Sequence, residues 1–299
     1  MILVTGGTGF IGSEVVRKLV ASGREVRVMS RNPEKALRLF EDMKVELVGG
    51  SVTDAESLEL AMKGTETVIN CVQFENYPME KKSKGLTFMD VDGKGTVNQV
   101  TTAVRAGVRE FIYVSGAGAG KSREEKWFKA KNRAEESVRD SSLDYLIIRP
   151  TWVYGPRDRS VNRFVSFAKK LPFVPLIGDG NQKVQPLYVG DLAEIICHIV
   201  DTYTGRGRTY EVGGPHVFTM RRLVEIVLEV LGVSKPIIPI PVPLMRFASV
   251  IAKFFPGSTI SPEVIDFAIQ EAVVDNSRIL ETFPITLKSF EEVLKQYAC

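Results

Sequence analysis

The sequence predicts an α/β protein: a doubly wound parallel sheet followed by a smaller α/β lobe. Three observations carry that expectation. Residues 3–12 read Leu-Val-Thr-Gly-Gly-Thr-Gly-Phe-Ile-Gly, so Gly6, Gly9 and Gly12 stand three apart between an apolar β-branched stub and an amphipathic run. Short apolar runs then alternate with helical patterns as far as residue 150, the rhythm of strand–helix–strand units. After Arg149-Pro150 that rhythm breaks into turns at Pro172, Pro175, Gly178 and Gly180.

Each element has a local reason. Ile2 to Val4 is too apolar and β-branched for a solvated loop and reads as a buried parallel strand. Ile11, Val15, Val16, Leu19 and Val20 recur at helical spacing, and Gly23 ends that helix. Glu25–Met29 and Val45–Val48 follow as strands, and Thr53-Asp54-Ala55-Glu56 reads as a capping box opening the next helix. Thr67–Val72 is the fourth strand, followed by a charged loop and a helix ending before Gly107. Phe111–Val114 is the fifth strand, Arg123–Arg139 a helix and Tyr145–Ile148 the sixth strand. Beyond the break, Gln185–Val189 reads as a strand, with Asp191 capping the helix after it and Tyr210–Val212 a further strand. Thr219 is placed to cap a helix over Met220–Leu231. The four prolines of Pro236–Pro243 impose an extended chain, and Met245–Phe255 forms an apolar helix. The expected division is a dinucleotide domain over 1–155 with a returning segment at about 185–204, and a second lobe over 156–184 and 205–299.

Composition excludes several function classes. The 299 residues hold 39 basic and 36 acidic side chains, a net charge of +3 with no basic stripe, so nucleic acid is not an expected partner. Cys71, Cys197 and Cys299 lack metal-ligand spacing, which points to core thiols in a reducing compartment and no metal site. The chain shows neither a signal-peptide pattern nor an apolar run of membrane-spanning length, and a cytoplasmic location is the default expectation.

The glycine run is the chemical centre of the sequence. A strand, a tight turn and a helix N-terminus form a Rossmann cradle for a dinucleotide diphosphate, with Gly6, Thr8, Gly9, Phe10, Ile11 and Gly12 supplying it. An acid about twenty positions later would bind a ribose 2′-hydroxyl and select NAD. Here the second strand ends in Met29-Ser30-Arg31, and Arg31 offers a planar cation to a 2′-phosphate with Ser30 beside it. NADP(H) is therefore the expected cofactor, with NAD(H) as the alternative.

Thr5-Gly-Gly-Thr-Gly-Phe-Ile-Gly12, Phe111-Ile-Tyr-Val-Ser115, Arg149-Pro-Thr-Trp-Val-Tyr-Gly-Pro156 and Gln185-Pro-Leu-Tyr-Val-Gly-Asp191 together resemble the extended and atypical short-chain dehydrogenase/reductase superfamily. Phe283-Pro284 ahead of Ser289-Phe-Glu-Glu extends the likeness, so that it covers nearly the whole chain in order. Arg157-Asp-Arg159 and Asn162-Arg-Phe are most similar to the dinucleotide-binding accessory subunit of respiratory complex I and its free-standing prokaryotic relatives. The resemblance implies a Tyr-x-x-x-Lys pair whose tyrosine moves a proton while the lysine lowers its pKa and holds the ribose. In this chain Lys131 holds the lysine position and Trp127 the tyrosine position, with Glu135 one turn later. An indole N–H only donates and cannot shuttle a proton. The partner hydroxyl falls in Ser115-Gly116-Ala117, where Gly116 stands at the expected reactive place and Ser115 lines the site. By the same resemblance Ser51 and Val52 face the adenine, Cys71 and Val72 pass the ribose and phosphate, and Pro150, Thr151 and Val153 border the nicotinamide. Tyr154, Glu75 and Tyr77 are substitute proton donors among which spacing does not choose, whereas His198 reads as structural and His216 as a loop residue.

These residues imply a reductase of an apolar carbonyl or conjugated substrate using a non-standard donor. A non-catalytic NADPH-binding structural, assembly or redox-sensing protein is the alternative, and a nucleotide-sugar epimerase or dehydratase a more distant one. Phe164, Phe167, Phe173, Met220, Met245, Phe247 and Phe254 make the second lobe apolar, which suits a small apolar substrate. The apolar stripe around Met245–Phe255 reads first as ordinary core, with the helix at 244–256 as a contact for a protein partner or a membrane surface the alternative.

Overall fold

The computed structural model describes residues 1–75, 77–121, 124–252 and 261–298. Two compact units are formed, one from Met1–Pro150, Val189–Val212 and Asp275–Thr286, the other from Thr151–Tyr188, Gly213–Val274 and Leu287–Cys299.

The first unit is built on a parallel sheet of seven strands. These are β1 (Ile2–Thr5), β2 (Val26–Ser30), β3 (Glu46–Gly49), β4 (Thr67–Asn70), β5 (Glu110–Val114), β6 (Asp144–Pro150) and the strand Arg208–Val212. Their order is 208–212, β6, β5, β4, β1, β2, β3, so the chain reverses direction across the sheet between β1 and β4. Val4 pairs with Val28 on one side and with Ile69 on the other. All four β1 residues are buried, as expected of a strand covered on both faces. Alternation along the strands sends Leu3, Val68, Phe111, Tyr113 and Ile147 into one core with Leu58, Met62, Val100, Ala103, Ala134 and Val138 from three helices. Those helices are α3 (Ala55–Met62), α4 (Gly95–Arg105) and α5 (Lys126–Arg139). They follow α1 (Phe10–Ala21) and α2 (Pro33–Leu39) in the chain.

The helix ends match the sequence in part. Gly23, at φ +78°, closes α1: its N–H reaches the Val20 carbonyl and that of Arg24 the Leu19 carbonyl, each at 3.0 Å. After β2, Asn32 opens α2: its Oδ1 accepts the Lys35 N–H at 3.0 Å and Pro33 occupies the first turn. The capping box at residues 53–56 does not form. Asp54 stands at the cap without a side-chain hydrogen bond, and the Ser57 hydroxyl accepts the Ser51 N–H at 3.0 Å. Gln185–Val189 is not a continuous strand: only Leu187–Tyr188 is extended, and a helix runs Val189–Thr202 with Asp191 inside its first turn. The first unit also takes more of the chain than expected. Arg208–Val212 pairs parallel with β6, and 275–286 belongs here too.

The second unit has its own core, in which Tyr154, Val161, Leu176, Leu223, Val224, Val227, Phe290 and Leu294 are buried. The helices Val161–Lys170, Met220–Leu231 and Phe290–Tyr297 supply most of it. Thr219 caps the second of these, its Oγ1 accepting the Arg222 N–H at 3.1 Å. Ile237–Ile240 is extended and pairs parallel with Val174–Ile177, but a helix already begins at Val242, so Pro243 lies in a helical first turn rather than an extended segment. That helix runs Val242–Ala252 and exposes Leu244, Phe247, Val250 and Ile251; Phe254 and Phe255 lie outside the described residues, as does Cys299. Among the described residues no helix is long and apolar enough to cross a membrane.

Candidate dinucleotide site

The cradle expected from the glycines is present at the carboxyl end of β1. Gly6 turns the chain at φ +70°, and a Cβ there would lie 2.5 Å from the Cys71 carbonyl oxygen, so no side chain fits. Gly9 donates its N–H to the Gly6 carbonyl at 2.9 Å and is the exposed N-cap of α1. A side chain at Gly12 would drive into the Gly6 carbonyl, which is why α1 can pack close to its strand. No side chain caps α1 and its first turn holds no acid, so its N–H groups stay available to an anion. Thr8, Phe10 and Ile11 are half-buried around the turn. A dinucleotide diphosphate fits these residues.

The turn is braced from β4. Cys71 N–H reaches the Thr5 carbonyl at 3.0 Å, and Val72 N–H reaches Asn70 Oδ1 at 2.9 Å. Thr5 donates to Gln99 Oε1 at 2.6 Å and Asn70 Nδ2 to Thr96 Oγ1 at 3.0 Å, buried bonds that sequence reading missed. Burial pushes the Cys71 thiol up to about 12 against the pull of Lys131, which keeps it in the thiol form.

At the tip of β2, Ser30 is buried and turned inward, its hydroxyl donating to the Asn32 carbonyl at 3.0 Å and accepting the Asn32 N–H at 3.1 Å. Arg31 is exposed, with Nη2 3.3 Å from Glu75 Oε2 in the loop after β4. No carboxylate stands at residues 29–31. After β3, the Ser51 hydroxyl meets that of Thr53 at 2.8 Å, whereas the Val52 side chain lies in the core, where a Cβ on Gly95 would be 2.6 Å from it.

The acid–base position is altered. Lys131, 3% exposed on α5, puts Nζ 3.5 Å from Asp92 Oδ1 and 5.2 Å from the Tyr113 ring centre. Burial pulls the Lys131 ammonium down, but Tyr113 and Asp92 outweigh it and hold its pKa above the ordinary value. Burial pushes the Asp92 carboxyl up to about 6 despite the opposing pull of Lys131. Asp92 comes from a π-helical turn, Phe88–Lys94, that runs into α4. Nothing in the amphipathic pattern announced it, although an aspartate flanked by Val91 and Gly93 at a helix entrance was a visible irregularity.

Trp127 and Gly116 are in contact. A Cβ on Gly116 would lie 2.6 Å from Cη2 and Cζ2 of the indole, which also stacks edge-on against Phe128 with ring centres 4.6 Å apart. The six-membered ring thus fills the place a side chain at 116 would need. Ser115 is likewise committed: its hydroxyl donates to Glu135 Oε1 at 2.6 Å, and that buried carboxylate also takes Arg149 Nε at 2.9 Å, Arg149 Nη2 at 2.6 Å and Arg139. The Ser115 hydroxyl is thereby part of a buried ion network.

The other nominated residues find structural roles. Tyr154 has no exposed surface; its ring lies 4.9 Å from that of Phe290 and its hydroxyl donates to the Ser289 carbonyl at 3.5 Å. Tyr77 sits edge-on to Phe74 and Phe88, and burial together with Asp92 raises its phenol well above the ordinary value. Pro150 accepts the Ala117 N–H at 2.8 Å, buried Thr151 donates to the Gln185 carbonyl, and Val153 pairs with Leu187. His198 packs edge-on to Phe283, as its structural reading implied. Of the apolar set nominated for a substrate, Met220 is buried in the second unit's core, Phe164 and Phe167 pack against it, and Phe247 is exposed.

The family model described as NAD(P)H-binding matches residues 6–171, more than half of the chain. This chain belongs to that family. A second model, the RmlD substrate binding domain, matches residues 125–298 of this NAD(P)H-binding protein. The mitochondrial NADH dehydrogenase [ubiquinone] 1 alpha subcomplex subunit 9 of Arabidopsis thaliana is 32% identical over an alignment of 249 residues that covers 81% of this chain but only 61% of that relative. The photosystem II assembly factor Ycf39 of Synechocystis is 24% identical, covering 85% of this chain and 74% of its own. Among solved structures, the UDP-glucose 4-epimerase of Thermotoga maritima superposes with a TM-score of 0.77 at 22% identity over 99% of this chain and 97% of that one, a likeness of fold. The epimerase/dehydratase-like short-chain dehydrogenase fold expected from the sequence is the fold observed.

Proposed function

We propose that this protein binds NADP(H) as a non-catalytic structural, assembly or redox-sensing element. The observation that carries the reading is the contact of Trp127 with Gly116, because one ring both replaces the proton-carrying phenol and closes the space of the partner hydroxyl. The Ser115 bond to Glu135 supports it by engaging the hydroxyl beside the site, and the full burial of Tyr154 supports it by disfavouring one substitute donor. Relatives named as a respiratory-complex subunit and a photosystem assembly factor are in keeping with such a role. A bound nicotinamide would bring hydride-transfer chemistry; the chain's own contribution is to bind and orient it through the glycine turn, Arg31 and Lys131. The preference for NADP(H) over NAD(H) rests on Arg31 and on the missing acid beside it.

Titration of NADPH and NADH fluorescence with the purified protein tests the binding, and NADPH oxidation in the presence of quinones, enones and aldehydes tests the chemistry. Tighter NADPH binding without turnover is expected. Substantial wild-type turnover would overturn the non-catalytic reading in favour of the reductase. An NADPH-to-NADH affinity ratio unchanged by Arg31→Ala would overturn the choice of cofactor.

A further inference from the structure

The parallel sheet order places β1 between β2 and β4, with the glycine turn leaving its carboxyl end. Arg31 directly follows β2 and Glu75 lies in the loop that follows β4, both at that same end of the sheet. Their ion pair, 3.3 Å from Nη2 to Oε2, therefore joins the strands on either side of β1 across the end from which the turn emerges. The start of the Glu75 loop is fixed against the turn, since the Cys71 carbonyl occupies the space beside Gly6 and Val72 is tied to Asn70.

We propose that Glu75 is a specificity-determining residue: it is the resident counter-ion of Arg31, and a 2′-phosphorylated dinucleotide must displace it. This rests on the assignment of NADP(H) to the site. The pair is suited to exchange. Its side chains are 54% and 65% exposed, and a pair so hydrated contributes little when closed, so opening it costs little. A phosphate dianion offers the guanidinium more charge and a better match to its planar fork than one carboxylate oxygen does. A nucleotide without the 2′-phosphate leaves the pair closed. Glu75 thus lowers affinity for the phosphorylated cofactor specifically, a tuning that Arg31 alone does not provide.

A double-mutant cycle on Kd, read by nucleotide fluorescence or calorimetry, tests this. Glu75→Gln should tighten NADPH about two- to fivefold, the range an exposed pair is worth, and leave NADH unchanged. The gain should vanish when Glu75→Gln is placed in an Arg31→Ala background. Unchanged NADPH affinity in Glu75→Gln, or equal tightening of NADH, would overturn the role of Glu75 while leaving the cofactor assignment intact. An affinity ratio indifferent to Arg31→Ala removes the assignment itself, and the inference with it.

Discussion

Trp127 and Gly116 sit eleven positions apart and constrain each other through a contact that a Cβ would turn into overlap at 2.6 Å. Gly116→Ser alone must push the indole off its Phe128 neighbour, at a cost of about 1–3 kcal/mol for an overpacked site. Trp127→Tyr shortens the ring system and should recover most of that loss in the double variant. Urea unfolding of the single and double variants measures the coupling; a Gly116→Ser protein as stable as wild type would show that the ring is free to move. The sequence displayed both departures from the Tyr-x-x-x-Lys arrangement, because position along a strand and a helix is a local property. It could not show that they touch, because that depends on how α5 lies against the end of β5. The same holds for Ser115, visible as a hydroxyl beside the site yet bound to Glu135 twenty residues away.

At the scale of elements, the Phe88–Lys94 turn and α5 meet through the buried Asp92–Lys131 pair. Asp92 in the folded protein titrates at about 6, above the ordinary carboxylate value of 3.8, chiefly because it is buried. The unfolded chain therefore releases this proton first, and between about pH 4 and 6 the folded state holds more protons than the unfolded state does. Stability from this group is full below that window and declines as pH rises through it, by on the order of 1–3 kcal/mol. Asp92→Asn imitates the neutral acid at every pH, so its unfolding midpoint should fall less between pH 4.5 and 6.5 than that of wild type. Identical slopes would show that the carboxyl is not held protonated. Glu110, pushed up to about 7 by burial, adds a decline of the same sign that the variant retains. The strands and most helices were readable because each is set by its own period and caps. The turn carrying Asp92 was not, since a π-helical stretch has no pattern of its own in the sequence.

For the molecule as a whole, the first unit is assembled from three stretches of chain, and the last of them, 275–286, returns between the second and third stretches of the second unit. No local signal marks such a return: Phe283 belongs there through its edge-on contact with Tyr210, a pairing across more than seventy residues. The nucleotide cradle, by contrast, is complete within one strand, one turn and one helix, which is why the beginning of the chain was sufficient to find it. That difference sets the expected response to ligand. A dinucleotide that binds only the folded cradle stabilises it by linkage, about 2.7 kcal/mol at a hundred times its Kd. For a unit of this size the corresponding rise in Tm is about 5–10 °C. Amide hydrogen exchange should show NADPH-dependent protection at 6–12, at 30–32 and at 71–72, the backbone of the turn, its brace from β4 and the Arg31 tip, while residue 75, whose carboxylate the 2′-phosphate displaces, gains none. NADH should protect the turn but leave 30–32 and 75 close to their unliganded rates, because nothing then competes for Arg31. Protection confined to the second unit, or none with either nucleotide, would mean that the glycine turn is an architectural relic and that the site must be sought elsewhere in the chain.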